Sequence, residues 1–308
     1  MLLSVRLMTY NHKDFIEDAL RGIDSQITDF NFEVVVGDDF SADDTLLKIS
    51  NFKITNPKLS LRILDRKIGD NYYITRKHRG RLYNFIDIVN NCKGKYIALL
   101  DGDDYWTDPL KLQKQVDFLE NNEDYILCFH KVSIRKPNGD IIEDYITKVP
   151  EHYEKIENFV QNGNYIHIPS VVYRNCIKNF PFEFTLVPFG DFFLFFMLGH
   201  FGKFKYLKSD MAVYRTDVGM LSKMNTRDMT TSYVTLYSCM MSFTPNENLK
   251  KLILEKQKSV LKSYFFVIED NYLKLKAKHK KAFVSNHSFF KWIKNIQTTY
   301  WKFNNKNK

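Results

Sequence analysis

Lys95-Tyr96-Ile97-Ala98-Leu99-Leu100-Asp101-Gly102-Asp103-Asp104-Tyr105-Trp106 decides how this chain is read. The apolar run has the length of one buried strand, and it ends by delivering three carboxylates within four residues. Acids set so close repel one another strongly unless a cation neutralises them, and oxygen-only ligands favour Mg2+ or Mn2+. A solvated acidic turn is the plain alternative. Leu99-Leu100 before and Tyr105-Trp106 after argue against it, because they hold the acids at the edge of a core.

Upstream, short apolar runs at residues 2–8, 32–37 and 59–64 read as further strands. They alternate with helix-period segments at 14–25, 43–52 and 82–92. That alternation implies an α/β protein with a mostly parallel sheet flanked by helices, whose ligands sit beyond the carboxyl ends of the strands. Two other strand ends carry suitable groups. Thr9-Tyr10-Asn11 follows the first strand, where a ring can pack on a base and an amide can bond its edge; Asn11 alone also reads as a helix cap. Gly37-Asp38-Asp39-Phe40-Ser41 follows the second, where one carboxylate can accept a base N–H while the other caps the turn. Ser41 and Asp44 read as cap and first-turn acid of the next helix. No GxxxxGK[ST] or GxGxxG cradle is present, so phosphate is left to a metal and side chains.

Downstream, Asp108-Pro109 opens a helix with Leu112, Val116 and Leu119 on its apolar face. A strand at 125–129 and a hairpin around Pro137-Asn138-Gly139-Asp140 follow. Then come a helix near 153–161, an extended stretch at 165–174, a very apolar helix at 191–198 and short strands at 205–207 and 211–215. Asp191 heads that apolar helix and, taken alone, reads as its cap. The cluster Arg76-Lys77-His78-Arg79-Gly80-Arg81 precedes the third helix and reads either as phosphate or anionic-acceptor contacts or as a solvated loop.

Composition narrows the classes. The 308 residues are 44% hydrophobic and 26% charged, enough for a substantial core and too ordered a mixture for a disordered chain. No apolar run approaches the ~18 residues of a membrane span. The start lacks a basic leader and cleavage site, so export is not expected. Cys92, Cys128, Cys176 and Cys239 are scattered and fit reduced thiols rather than a zinc or disulfide framework. The net charge of +9 is uneven: residues 249–308 hold 15 Lys, no Arg and three acids, leaving the body slightly acidic. Such a tail suits an anionic surface, with a solvated helix face as the bland reading. In it Phe289, Trp292, Ile293, Ile296, Tyr300 and Phe303 recur at helical spacing beside lysines, as in a helix lying in a membrane interface.

These motifs together resemble glycosyltransferase family 2, inverting enzymes of the GT-A fold. Thr9-Tyr10-Asn11, Asp38-Asp39-Phe40-Ser41-Ala42-Asp43-Asp44-Thr45, Gly94-Lys95-Tyr96-Ile97 and Asp101-Gly102-Asp103-Asp104 match its elements in spacing as well as type. Tyr105-Trp106-x-x-Pro109-x-Lys111-Leu112-x-x-Gln115 continues toward members that build bacterial surface polysaccharides. The resemblance implies a GT-A, Rossmann-like catalytic domain at 1–215, with a nucleotide-sugar-binding half at 1–125 and an acceptor-side half at 126–215. A helical, Lys-rich extension would occupy 216–308. It implies that Thr9, Tyr10, Asn11, Asp38, Asp39, Asp101 and Gly102 bind the nucleotide sugar, with Tyr10 on the base, Asp39 on its ring N–H and Asp101 near the ribose. Asp103 would ligate Mn2+ or Mg2+, and Asp191 would be the general base. Phe192 stands where relatives carry Trp, and Thr216-Asp217 follows Arg215 where relatives often carry a His. Arg76, Arg79, Arg81, Ser170, Arg174 and Arg215 would be further candidates for phosphate or acceptor contacts.

The expected activity is transfer from a nucleoside diphosphate sugar, UDP favoured, to a hydroxyl of a glycan or lipid-linked acceptor. It would take place in the cytoplasm or on the cytoplasmic face of the inner membrane. A nucleotidyltransferase lacks its Gly-rich loop here. A catalytically silent scaffold, or a binder of anionic surfaces or nucleic acid through the tail, is the rival; the Arg-free tail offers little base readout, so nucleic acid is not the expected partner.

Overall fold

The computed structural model describes residues 1–216, 218 and 224–278. The chain begins β1 (Leu3–Thr9), α1 (Ile16–Asp24), β2 (Phe32–Asp38), α2 (Thr45–Asn51) and β3 (Leu59–Ile63). β1 and β2 are buried almost without interruption, which is why they read as continuous apolar runs and not as alternating ones. Next come α3 (Asn71–Arg79), α4 (Tyr83–Asn91), β4 (Tyr96–Asp101), β5 (Tyr105–Trp106) and α5 (Lys111–Asn121). β6 (Tyr125–Arg135) and β7 (Ile141–Glu143) form the expected hairpin, its turn held by Gly139 at φ 94°. α6 (Ile156–Asn162), β8 (Val172–Arg174), α7 (Glu183–Leu186), α8 (Gly190–Leu198), β9 (Lys203–Arg215), α9 (Thr226–Phe243) and α10 (Glu247–Lys278) complete the order.

One sheet runs β3-β2-β1-β4-β8-β6-β9-β5, with β7 beside β6. β3, β2, β1 and β4 are mutually parallel, whereas β8 is antiparallel to both β4 and β6. The chain leaves β1 in one direction and returns to its other side as β4, so strand order reverses between them. Such a reversal opens a crevice at the carboxyl ends. Thr9 pairs with Asp38 there, and Met8 with Asp101.

One face of the sheet packs on α1, α2 and α5 through Val5, Leu7, Ile16, Leu20, Ile49 and Leu112. The other carries α4 and α8. α8 is apolar all round because α6 and α9 cover it as well: Phe159 meets Phe192 at 5.0 Å and Phe243 meets Phe193 at 5.7 Å, both edge-on.

Three local expectations change. The basic run at 76–79 is not a loop; it is the last turn of α3, capped by Asp70, whose Oδ1 accepts from the Tyr73 N–H at 2.7 Å. The two short strands at 205–207 and 211–215 are one strand, β9, kinked by register shifts against β6. Ser41 does not cap α2. Its hydroxyl bonds Asp38, and Asp43 Oδ1 takes the Thr45 N–H at 3.0 Å instead.

By compactness the chain divides into Met1–Lys258 and Ser259–Lys308. α9 lies wholly in the first, and the described part of the second continues α10. No described helix is long and apolar enough to cross a membrane. The aromatic repeat at 289–303 lies outside the described residues.

Candidate active site

The nucleotide end is built by the loops after β1 and β2. Asn11 and Phe40 both turn through positive φ, 54° and 64°. Asn11 takes the Ala42 N–H on Oδ1 at 2.8 Å, and its own N–H donates to Ser41 Oγ at 2.8 Å, so it ties the two loops together and does not cap α1. Tyr10 is left 56% exposed, free to cover a flat ligand. Asp38 caps the turn: its carboxylate takes the Ser41 N–H at 2.8 Å, and burial raises its pKa. Asp39 is the other carboxylate, and it is already held. Arg76 Nε lies 3.0 Å from both of its oxygens, Arg76 Nη2 2.6 Å from one, and the Tyr72 hydroxyl 3.0 Å away. Arg66 stacks over Tyr72 at 3.7 Å and donates to the Asp38 carbonyl at 2.9 Å.

At the end of β4, Asp101 accepts from Nη1 of Arg6, which is fully buried in β1. Gly102 must be small: a Cβ there would stand 2.8 Å from His12 Nδ1 and 3.1 Å from Thr9 Oγ1. Asp103 has His12 Nε2 at 3.9 Å, beyond hydrogen-bond reach, and burial raises its pKa. Asp104 is buried beneath the turn, where it takes the Arg215 N–H at 2.9 Å; burial and the neighbouring Asp103 push its pKa well up. Arg215 is therefore a brace and not a free contact, with its guanidinium bound to the Asp103 carbonyl and to Asp18. Trp106 anchors the far side, its Nε1 donating to the Pro169 carbonyl at 2.9 Å.

The third group arrives from the other half of the sheet. Asp191 stands in the first turn of α8, not at its cap, which is Phe189. Asn164 Nδ2 donates to its Oδ2 at 2.9 Å. Burial raises the Asp191 pKa, and the charge of Asp101 adds to the rise. Tyr214 lies in the field of Asp104, Asp103, Asp191 and Asp101, which together with burial drives its hydroxyl pKa up. Arg81 feels the same Asp191 charge, and its Nη2 donates to the Pro188 carbonyl.

Two expected contacts stand elsewhere. Arg174 sits opposite Tyr96, at the amino end of β4, and spends its donors on the carbonyls of Tyr125, Leu119 and Asn122. Ser170 is buried, its hydroxyl on the His167 carbonyl at 2.6 Å. Both hold the fold together, remote from the crevice or closed off from it. Arg79 lies over the Tyr83 ring at 5.8 Å. Arg6, Tyr72 and Asn164 also bond the site's carboxylates, and no motif in the sequence marks them. The charge of Arg6 inside an apolar strand was the one signal visible without the fold.

The profile of glycosyl transferase family 2 matches residues 4–175, more than half of the chain. The chain belongs to that family. An uncharacterized protein of Mycobacterium tuberculosis is 32% identical over 213 residues, 69% of this chain and 58% of that protein, so less than two thirds of the relative's length is matched. The UDP-Glc:alpha-D-GlcNAc-diphosphoundecaprenol beta-1,3-glucosyltransferase of Escherichia coli is 34% identical over 122 residues, 40% of this chain and 43% of that enzyme. Among solved structures, S. aureus TarS 1-349 in complex with UDP-GlcNAc aligns with a TM-score of 0.58 and 18% identity, covering 86% of this chain and 73% of that one. The shared fold is GT-A, and the chain is a family 2 glycosyltransferase resembling bacterial surface-polysaccharide enzymes.

Proposed function

We propose that the chain is a metal-dependent inverting glycosyltransferase. It moves a sugar from a UDP-sugar to a hydroxyl of a glycan or lipid-linked acceptor in surface-polysaccharide assembly. The observation that carries this reading is that Asp101 ends β4 at the carboxyl edge, level with Thr9 and Asp38, with Asp103 two residues on, while the charges of Asp101, Asp103 and Asp191 all act on the Tyr214 hydroxyl.

In this reading Tyr10 covers the base, Asp39 accepts its ring N–H and Asp101 faces the ribose. Asp191 takes the proton of the acceptor hydroxyl. The freed oxygen attacks the anomeric carbon from the side opposite the diphosphate, the bond to the diphosphate breaks, and the configuration inverts. A raised pKa suits a base that must hold a proton briefly. Asp103 fits a hard divalent cation: it is a desolvated carboxylate, and the His12 imidazole beside it, at 3.9 Å, stands beyond hydrogen-bond reach. Among the described residues no three His, Cys, Asp or Glu side chains stand together as a metal site, so in this reading the ion's remaining ligands would have to come from phosphate and water. Such an ion, when bound, neutralises charge on the departing diphosphate. The lysine-rich stretch 249–308 is read as meeting an anionic membrane surface on the cytoplasmic side; in its described part Phe265, Phe266 and Leu273 are exposed.

Thermal unfolding with UDP, GDP, dTDP and CMP, each with Mn2+ or EDTA, tests the reading. A shift with UDP that needs Mn2+ and disappears in Asp103→Ala is expected, as is an unchanged shift in Asp191→Asn with transfer abolished. Normal turnover by Asp191→Asn, or no nucleotide response from folded protein, overturns it.

A further inference from the structure

α9 lies beyond the segment matched by the family profile, yet it packs against α7 and α8 beside the proposed base. The Tyr233 ring centroid is 5.1 Å from that of Phe189, the residue capping the helix whose first turn carries Asp191. Tyr237, one turn on, lies nearly parallel to Tyr233 at 6.1 Å and 24°, and is itself buried. Two neighbours thus fix the Tyr233 ring, which stays half-buried, and its hydroxyl has no hydrogen-bond partner among the described residues.

We propose that α9 completes the acceptor side of the site, and that the ring of Tyr233 is the platform on which a saccharide acceptor lies. The proposal rests on Asp191 as base and names the class of acceptor presented to it. A pyranose has an apolar C–H face and a polar rim, so it needs a rigid flat ring together with several hydrogen-bonding groups. Both are gathered around Asp191. Tyr233 supplies the ring, Asn164 Nδ2 stands 2.9 Å from the carboxylate, and Arg81 is held at the Pro188 carbonyl beside Phe189, so both can supply rim contacts. Burial raises the Tyr233 hydroxyl pKa, and the charge of Asp191 adds to the rise. A platform held by Tyr237 and Phe189 needs no ordering when the sugar arrives.

Saturation-transfer NMR on the full chain with UDP present, using methyl β-D-glucopyranoside and methyl N-acetyl-β-D-glucosaminide, tests this. Ring-proton enhancement is expected for at least one glycoside in the wild type and in Tyr233→Phe, with a drop of about fivefold or more in Tyr233→Leu. The UDP-induced thermal shift should be equal in all three, which shows that each is folded and separates this proposal from the sugar-transfer reading. Equal enhancement in Tyr233→Leu overturns the proposal, and so does a wild type that binds UDP but neither glycoside. A wild type that does not respond to UDP removes the reading beneath the proposal, and the proposal falls with it. If Tyr233→Leu does not fold, Tyr233→Trp decides: a saturable change in its fluorescence with glycoside is expected, and no change relative to the wild type overturns the platform.

Discussion

Arg6 Nη1 donates to Asp101 Oδ1 from a position in β1 with no solvent exposure. Its guanidinium lies over the Phe85 ring at 5.0 Å, and Nε and Nη2 have no hydrogen-bond partner among the described residues. A cation kept there at such cost sets a fixed positive charge under a crevice whose rim carries Asp101, Asp103 and Asp191. It also fixes which way the Asp101 carboxylate faces.

Removing Arg6 leaves Asp101 without its counter-charge. Arg6→Met is expected to cost about 3 kcal/mol, the usual penalty for breaking one side of a buried pair. Arg6→Met with Asp101→Asn should recover most of that, because no unpaired charge remains. Urea midpoints of the single and double variants measure it. A double variant no more stable than Arg6→Met would mean that the cost lies in packing against Phe85.

The three acidic or amide-bearing strand ends were legible because each is local: an apolar run sets the strand, and the next residues must lie at its carboxyl edge. Asp38, Asp39 and Asp101 stand at or beside strand ends that pairing brings level with Thr9. Arg174 was misplaced because β8 runs opposite to β4, and nothing local states a strand's direction. That reversal carries Arg174 to the amino edge. Asp191 is assigned by resemblance alone, because where the first turn of α8 comes to stand depends on how two halves of a sheet pack. The buried face of α3 is slight, with Tyr72 its only buried residue, so the sequence leaves its basic end open between anion contacts and a solvated loop. The helix is held instead by the Asp70 cap and by Arg76 and Tyr72 reaching Asp39.

Asp144 gives the fold an acid-sensitive contact. Burial alone raises its pKa, but hydrogen bonds from His167 at 3.0 Å and Thr147 at 2.6 Å outweigh that and hold it at about 2. The folded value lies below the ~3.9 of an unfolded Asp, so the contribution is complete above pH ~4 and is lost as pH falls toward 2. Discounted for partial solvation, it amounts to about 1–2 kcal/mol. Asp144→Asn should lower the urea midpoint at pH 7 and flatten its acid arm, with the two proteins still apart at pH 3 and converging only as the pH falls to about 2. Parallel curves over that range would show that the contact adds nothing.

The grip of Arg76 on Asp39 sets a donor beside an acceptor where the base is expected. A ring edge with an N–H next to a carbonyl satisfies both at once: the N–H donates to Asp39 and the carbonyl accepts from Arg76. Uracil has that edge. Cytosine presents a bare ring nitrogen at the same place, which would face the carboxylate lone pairs and leave a charged acceptor unsatisfied. Hydrogen bonds to charged groups contribute about 1.5–3 kcal/mol, so UDP should bind at least ~10-fold more tightly than CDP. Asp39→Asn puts an amide there that can turn either its oxygen or its nitrogen to the base. Its expected effect is to weaken UDP by ~10-fold and to bring the two nucleotides within about threefold of each other. Calorimetric titration of both nucleotides at one fixed Mn2+ concentration keeps the phosphate contribution constant. If CDP matches UDP in the wild type, or if Asp39→Asn keeps the full preference, the base is read elsewhere and the Arg76–Asp39 pair only fastens α3 to the sheet.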